Sequence, residues 1–532
     1  MLDKSNQYEH QHTYSTNYDA SLPPFNEVEY NKYQYAKSLF HVRQYENASY
    51  VLRGLDNPRL RFLRLYARYL AGEKRKEEQS QDILGMYGQD GRKVGAGDNS
   101  LVENPEMDSI YDELRNAYDG KQTLDAFCLY LYGVVLRKRG DNQLAATILL
   151  ESLKKYECNW SAWMELGTMV QNKKMFHDLQ KILDVSLPNC LMKRFFLGRL
   201  SLDLHQPHSA YCDIMNPLTS IFPDSTYIKA QWAISLYNTQ NYTESEVLFD
   251  DIRQRNPYRL EDMDVFSNLL YLMESKQKLS VLAHQCERID KYRPETCCII
   301  ANYYSIKREI PVSIEYFKRA LKLNRSYHWV WTLLGHDYIE LKNTRAAIEC
   351  YRRATDFNHR DYRAWYGLGQ AYEILKLPYY ALYNYQNAAY LKPHDHRLWY
   401  ALGGCYILLN LDAEASYCYK RSEACDQDEQ YDTVIKLARI YDKMQQHNAA
   451  AQYYLQAFEQ YEMDDVSLPL KKFGNDMAES SLYLARYMLS KNKLEDAERY
   501  ARIARQHNFP YHEEAQLLLD EIRTKSQPVA EG

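Results

Sequence analysis

The 532-residue sequence predicts an all-α solenoid built from stacked helix pairs. Two observations carry that prediction. Trp331, Leu334, Gly335, Tyr338, Ala347, Tyr351 and Ala354 recur 34 positions later as Trp365, Leu368, Gly369, Tyr372, Ala381, Tyr385 and Ala388. The same phase then runs outward through Gly403 and Ala438 in one direction and through Ala301, Ser267, Ala233, Gly198, Gly167 and Gly133 in the other, with every spacing between 31 and 35 residues.

A small residue at position 8 and alanine at position 20 of a 34-residue unit is the pattern of the tetratricopeptide repeat (TPR), whose copies wind into a superhelical solenoid. Small side chains let the two helices of a unit approach closely, so that larger residues at positions 4, 7, 11 and 24 interdigitate. Gly335, Gly369 and Gly403, with Ala347, Ala381 and Ala415, are the packing residues of the clearest units.

Taken in order, residues 1–25 are polar and read as disordered, and 26–73 carry two TPR-like helical stretches around Ala36 with Ala48 and around Ala67. Residues 74–120 include GMYGQDGRKVGAGDNS, rich in glycine and charge without a helical period, and read as a mobile loop with room for one short helix. A contiguous array is expected over 121–461, an inter-repeat insertion over 462–477, a last repeat with a capping helix over 478–523 (Ala485, Ala497, Ala504), and a disordered tail over 524–532.

Composition narrows the function. A net charge of -5 supplies no electrostatic case for nucleic acid or an anionic membrane. The 11 cysteines contain no C-x-x-C pair, and Cys297 and Cys298 are adjacent, so neither a zinc framework nor a redox pair is expected. No secretory signal and no long apolar run is visible, which points to the nucleus and cytoplasm and makes the N-x-S/T tripeptides at Asn47, Asn159, Asn241 and Asn324 chance matches. GxSxG, HExxH and GxxxxGK[S/T] are absent; Gly91 to Gly97 resembles a phosphate loop only superficially, and His10 and His12 read as part of a polar tail. The expectation is a binding scaffold rather than an enzyme, with no cofactor or metal. No Ser-Pro or Thr-Pro dipeptide occurs, so proline-directed phosphorylation is not expected.

Positions 2, 5, 9 and 12 of each unit share one face of its first helix, opposite the packed stripe. In the units starting at Pro294, His328, Tyr362 and His396 that face offers Glu295, Asn302, Trp329, Thr332, His336, Arg363, Tyr366, Gln370, Glu373, Arg397 and Tyr400. Amides, carboxylates and rings together suit an extended peptide. For any single residue, a merely solvated helix face is an equal reading.

The words RPETCCIIANYYSIKRE, GHDYIELKNT and RDYRAWYGLGQAYEILK exceed what the repeat itself demands. Across about Tyr292 to Asn410 they resemble the cell-division-cycle TPR family counted as the eighth subunit of the anaphase-promoting complex, or cyclosome. That resemblance implies a non-catalytic scaffold of a ubiquitin ligase, a homodimer formed through the N-terminal repeats, and TPR, cullin-like and ring-finger subunits as neighbours. It also implies a C-terminal groove for the arginine-containing C-box of a coactivator, near Asn302 within NYYS and Asp337 within GHDY; Tyr303 is a further groove candidate, and the clustering of Asp337, Glu340 and Glu373 on consecutive first helices leads to the expectation that one of them pairs the arginine. The alternatives are a sister subunit of that complex or a chaperone-binding adaptor, although the clamp positions of the latter hold Cys298, Asn302, Leu333, Arg363 and Gly367.

Overall fold

The computed structural model describes residues 26–55, 57–87, 104–120, 124–425, 431–463, 470–505 and 511–526. Among them are 27 α-helices and no strand. The chain divides into two compact units, Met1–Tyr258 and Arg259–Gly532.

In the first unit the described parts of the segment expected as a loop, residues 74–87 and 104–120, are largely helical. The Pro58–Tyr87 helix runs through residues 74–87, and Met107–Asp119 forms a further helix. Its charged run lacks an apolar period yet holds because Glu, Lys and Arg are good helix formers and because they are paired: Lys138 Nζ lies 2.9 Å from Glu73, and Arg75 bonds Glu46. The second helix buries Ile110, Leu114 and Ala117, a four-then-three spacing that gives one apolar stripe. The glycine-rich run at 91–97 lies outside the described residues, as do residues 1–25.

The second unit is the regular one. Its helix pairs are Met263–Leu272 with Lys276–Ile289, Pro294–Ile306 with Ile310–Leu323, His328–Glu340 with Thr344–Phe357, Tyr362–Ile374 with Pro378–Leu391, His396–Leu408 with Asp412–Cys425, and Tyr431–Lys443 with His447–Met463. The predicted insertion is smaller than expected: Leu470–Ser490 is one helix, so residues 470–477 belong to it, and 464–469 lie outside the described residues. Likewise the Tyr511–Ser526 helix takes in the first residues of the predicted tail.

Each turn between these paired helices is closed by one residue in the left-handed region: Glu274, Arg308, Lys342, Lys376 and Asn410, all 34 apart, and Gln445, 35 further on, at φ 53° to 67°. The next amide reaches back to the residue at position 11, as from Asn343 to the Tyr338 carbonyl and from Leu377 to the Tyr372 carbonyl, both at 2.9 Å. These are Schellman caps made without glycine.

Position 24 holds Tyr351, Tyr385 and Tyr419, all fully buried. The glycines exist for these rings. A Cβ on Gly335 would stand 2.5 Å from Tyr351, on Gly369 2.4 Å from Tyr385, and on Gly403 2.8 Å from Tyr419. Gly367, in the following unit, is as close to the other side of Tyr351, at 2.6 Å, so one ring spaces two units.

Candidate functional site

The tyrosines that pack these units also reach the face carried by the row of first helices. The Tyr351 hydroxyl meets His336 Nδ1 at 2.8 Å, and the Tyr385 hydroxyl donates to Glu373 at 2.8 Å. His336 keeps solvent access at position 9, yet the atoms crowded around its ring hold its pKa below the ordinary imidazole value. Glu373, at position 12, is exposed, and the Tyr385 bond fixes where its carboxylate points.

Around them the face is aromatic and cationic in alternation. The Arg363 guanidinium lies 4.3 Å from the centre of the Trp329 ring, Tyr366 packs 5.5 Å from Tyr385, and Gln370 is half-buried beside Tyr366. Arg397 is tied to the buried carboxylate of Asp395 at 2.9 Å. Burial works to raise the Asp395 pKa, but the hydrogen bonds of Arg397 and the charges of Lys392 and Arg397 prevail and hold it down at about 2. At the far end Tyr400 donates to Asp432 at 2.9 Å, and Lys436 sits 3.9 Å over the Tyr400 ring. Burial lowers the Lys436 pKa.

Trp329, His336, Arg363, Tyr366, Gln370, Glu373 and Tyr400 therefore share one surface across three consecutive first helices. Asp432 and Lys436 extend it, and sequence reasoning missed both. They stand at positions 2 and 6 of the unit starting at Tyr431, so extending the face positions one unit further would have found Asp432, whereas Lys436 stands one place past position 5.

Six predicted groove residues lie elsewhere. Asp337 is buried, accepting from Ser305 at 3.0 Å and Ser313 at 2.5 Å, both in the preceding unit. Tyr303 packs against His284, whose ring centre is 5.8 Å away on the preceding second helix. Both occupy position 10, one step past the face, and that step turns a side chain by about 100° toward the neighbouring unit. Asn302 is buried, donating to Ser267 Oγ at 2.9 Å between two first helices. Thr332 is buried under Asp361. Glu340 is exposed at the end of its helix and paired with Arg308 at 3.2 Å, at the turn rather than along the face. Glu295 is held by Arg293 at 3.1 Å.

One hydroxyl in the tyrosine series stands apart. Tyr419 Oη is buried and unpartnered, because positions 9 and 12 of its unit are Gly404 and Ile407, where the neighbouring units hold His336 and Glu373. Chemically the whole surface offers ring faces, an amide and an oriented carboxylate, a set that grips a polypeptide. No helix among the described residues is long and apolar enough to cross a membrane.

Comparison with known proteins places the chain among repeat subunits of one assembly. The family model described as anaphase promoting complex subunit 8 / Cdc23 matches residues 1–233, and TPR models match 335–375 and 431–462. The chain is similar to anaphase-promoting complex subunit 8 of Dictyostelium discoideum, 41% identical over 547 residues, covering 95% of this chain and 89% of that relative. It is 42% identical to the Arabidopsis thaliana subunit 8 over 314 residues, an alignment spanning 59% of this chain and 51% of the relative. With the subunit CDC23 of Saccharomyces cerevisiae it shares 32% identity over 368 residues, 60% of this chain and 59% of that one. The fold is that of a chain in the crystal structure of the APC/C hetero-tetramer Cut9-Hcn1, with a TM-score of 0.57 at 16% identity, covering 92% of this chain and 89% of the other.

Proposed function

This chain belongs to the subunit 8/Cdc23 family of the anaphase-promoting complex, and we propose that it acts there as a non-catalytic scaffold whose row of first helices receives an arginine-containing coactivator segment, the C-box. Glu373 carries the reading. Of the three carboxylates expected to pair the arginine, Asp337 is buried and Glu340 is held at a turn, whereas Glu373 is exposed and oriented by Tyr385. The Tyr385 bond takes one lone pair of one oxygen, so both oxygens keep acceptor sites for a two-point bond with a guanidinium. Tyr366 and Tyr400 flank it with ring surface for apolar side chains, and Gln370 supplies an amide for the peptide backbone.

The experiment is a binding titration of the purified chain with a C-box peptide. Glu373→Lys should weaken binding at least tenfold, while Glu340→Lys should leave it nearly unchanged. Equal affinities for Glu373→Lys and the parent chain would overturn the assignment. As a scaffold the chain takes TPR, cullin-like and ring-finger subunits as neighbours in the nucleus and cytoplasm, and it pairs with a second copy through its N-terminal repeats. Purification from dividing cells should co-recover a cullin-like and a ring-finger subunit, and recovery of chaperones alone would sink the scaffold reading. Light scattering of the isolated chain tests the homodimer.

A further inference from the structure

The second helices carry a surface of their own, and one of them departs from its neighbours. The Pro378–Leu391 helix, PYYALYNYQNAAYL, contains no Asp, Glu, Lys or Arg, whereas the helices on either side, TRAAIECYRRATDF and DAEASYCYKRSEAC, contain five each. Its outward side chains are tyrosines: Tyr379, Tyr380, Tyr383 and Tyr390 are 60–74% exposed. Helix faces that meet water normally carry charge, and a charge-free aromatic face is the composition of an interface core.

Beside this face lies an open cleft of about 520 Å³, walled by Trp365, Tyr372, Tyr380 and Tyr383, with Arg352 and Asn384 among its polar groups. No carboxylate lines it. Arg352 donates to the Tyr372 hydroxyl at 2.6 Å and has no carboxylate partner among the described residues. One N–H of the Asn384 side-chain amide donates to the Tyr380 carbonyl at 2.7 Å.

Trp365 differs from its repeats in the same direction. Arg353 covers Trp331 at 4.9 Å and Arg421 covers Trp399 at 5.9 Å, but the matching position in this unit is Asn387. The cation that caps each neighbouring tryptophan is missing here, and Trp365 faces the cleft instead.

We propose that this cleft docks an extended, proline-containing segment of a partner protein with an Asp or Glu next to the prolines. Its size fits side chains and a short stretch of backbone, not a helix about 10–12 Å across. Tyrosine and tryptophan walls are what polyproline segments stack on. Prolines bring carbonyl acceptors but no N–H, which matches a wall offering phenol and guanidinium donors. The carboxylate supplies the counter-ion that Arg352 lacks. The cleft is lined by second-helix residues and by Trp365, Leu368 and Tyr372, which belong to the packed stripe of the Tyr362–Ile374 helix and not to its Tyr366, Gln370 and Glu373 face, so the proposal stands whether or not that face binds a C-box.

The test uses the full chain and two fluorescein-labelled probes, a peptide of four prolines followed by two glutamates and the same peptide ending in two lysines. Anisotropy should show saturable binding of the acidic probe, at least fivefold tighter than the basic one. Tyr383→Ala, at a 61% exposed position, should weaken it tenfold with unchanged helical circular dichroism. Arg352→Gln should erase the preference for glutamate. Absence of saturation up to about 1 mM, the weak end of specific binding, would overturn the proposal. So would equal affinities in the Tyr383→Ala chain. Loss of self-association in that variant by light scattering would overturn it too, since the face would then be covered by a second copy.

Discussion

Replacing Gly369 by alanine tests the packing argument with a sign that runs against the usual rule. Glycine to alanine inside a helix ordinarily gains about 0.8–1.0 kcal/mol. Here the new Cβ would stand 2.4, 2.5 and 2.8 Å from three atoms of the Tyr385 ring. Ordinary carbon contacts are about 3.5–4.0 Å, so the ring must retreat by roughly 1 Å. It is fully buried, and its hydroxyl is tied to Glu373, so no rotamer relieves the clash without breaking that bond. Overpacking of this kind costs about 1–3 kcal/mol, and after the propensity gain the expected net effect is a loss of up to about 2 kcal/mol. Long repeat arrays do not unfold in one step, so the measurement is local: hydrogen exchange by mass spectrometry over residues 362–391. A loss of about 2 kcal/mol corresponds to exchange faster by a factor of about 30. Gly404→Ala is the control, because its Cβ would meet only the Tyr419 hydroxyl, at 3.8 Å. That variant should exchange more slowly than the parent over its own helix, residues 396–408, in keeping with the propensity gain. If Gly369→Ala also slowed exchange, the account of why these positions are glycine would be wrong.

Burial lifts the Asp337 pKa to about 6 from 3.8, against the bonds from Ser313 and Ser305. The native state therefore binds this proton more tightly than the unfolded one, and the stability it contributes is present below about pH 4 and is lost as pH rises through about 6. Asp337→Asn should flatten that fall in urea titrations, and an unchanged slope would refute the assignment. Asp395 works the other way: held down at about 2, it contributes stability above about pH 4 that disappears as pH falls through about 2. Asp395→Asn should remove that acid-side loss in the same titrations. Lys376→Gly should stabilise the turn by up to about 1 kcal/mol, since relief of a left-handed residue outweighs the entropy of glycine; slower exchange over 370–380 would register it. Among the cysteines Cys158 is exposed, Cys212 and Cys425 are intermediate and the other eight are buried, so a thiol reagent should label Cys158 first and the eight only after denaturation.

What could be read from the sequence was whatever repeats. Gly369 and Tyr385 report on each other through packing that recurs every unit, so their register survives without any structure. Position 9 against position 10 was harder, because the choice between Gln370 facing outward and Asp337 facing inward depends on how the preceding unit tilts, which no single helix encodes. The helix over residues 74–87 escaped notice for a different reason: its support comes from ion pairs with Glu46 and Glu106, distant in sequence, rather than from an apolar period. The turns hid because Lys342, Lys376 and Asn410 fill places where glycine would have announced them. Glu373 was legible as a candidate, but its advantage over Asp337 and Glu340 emerged only from the Tyr385 bond.

The ring of Tyr351, held between Gly335 and Gly367, has a mechanical meaning. A flat, incompressible plate clamped at a joint resists bending toward itself and lets the joint hinge only by sliding, so a succession of such joints behaves as a stiff spring. The unit starting at Leu260 carries Ala283 where its successors carry aromatic rings, Phe317, Tyr351, Tyr385, Tyr419 and Tyr454. Stiffness should therefore rise along this stretch of chain. Load applied through a bound partner would be taken up as strain near Ala283 and passed almost rigidly through the tyrosine-pinned joints that follow.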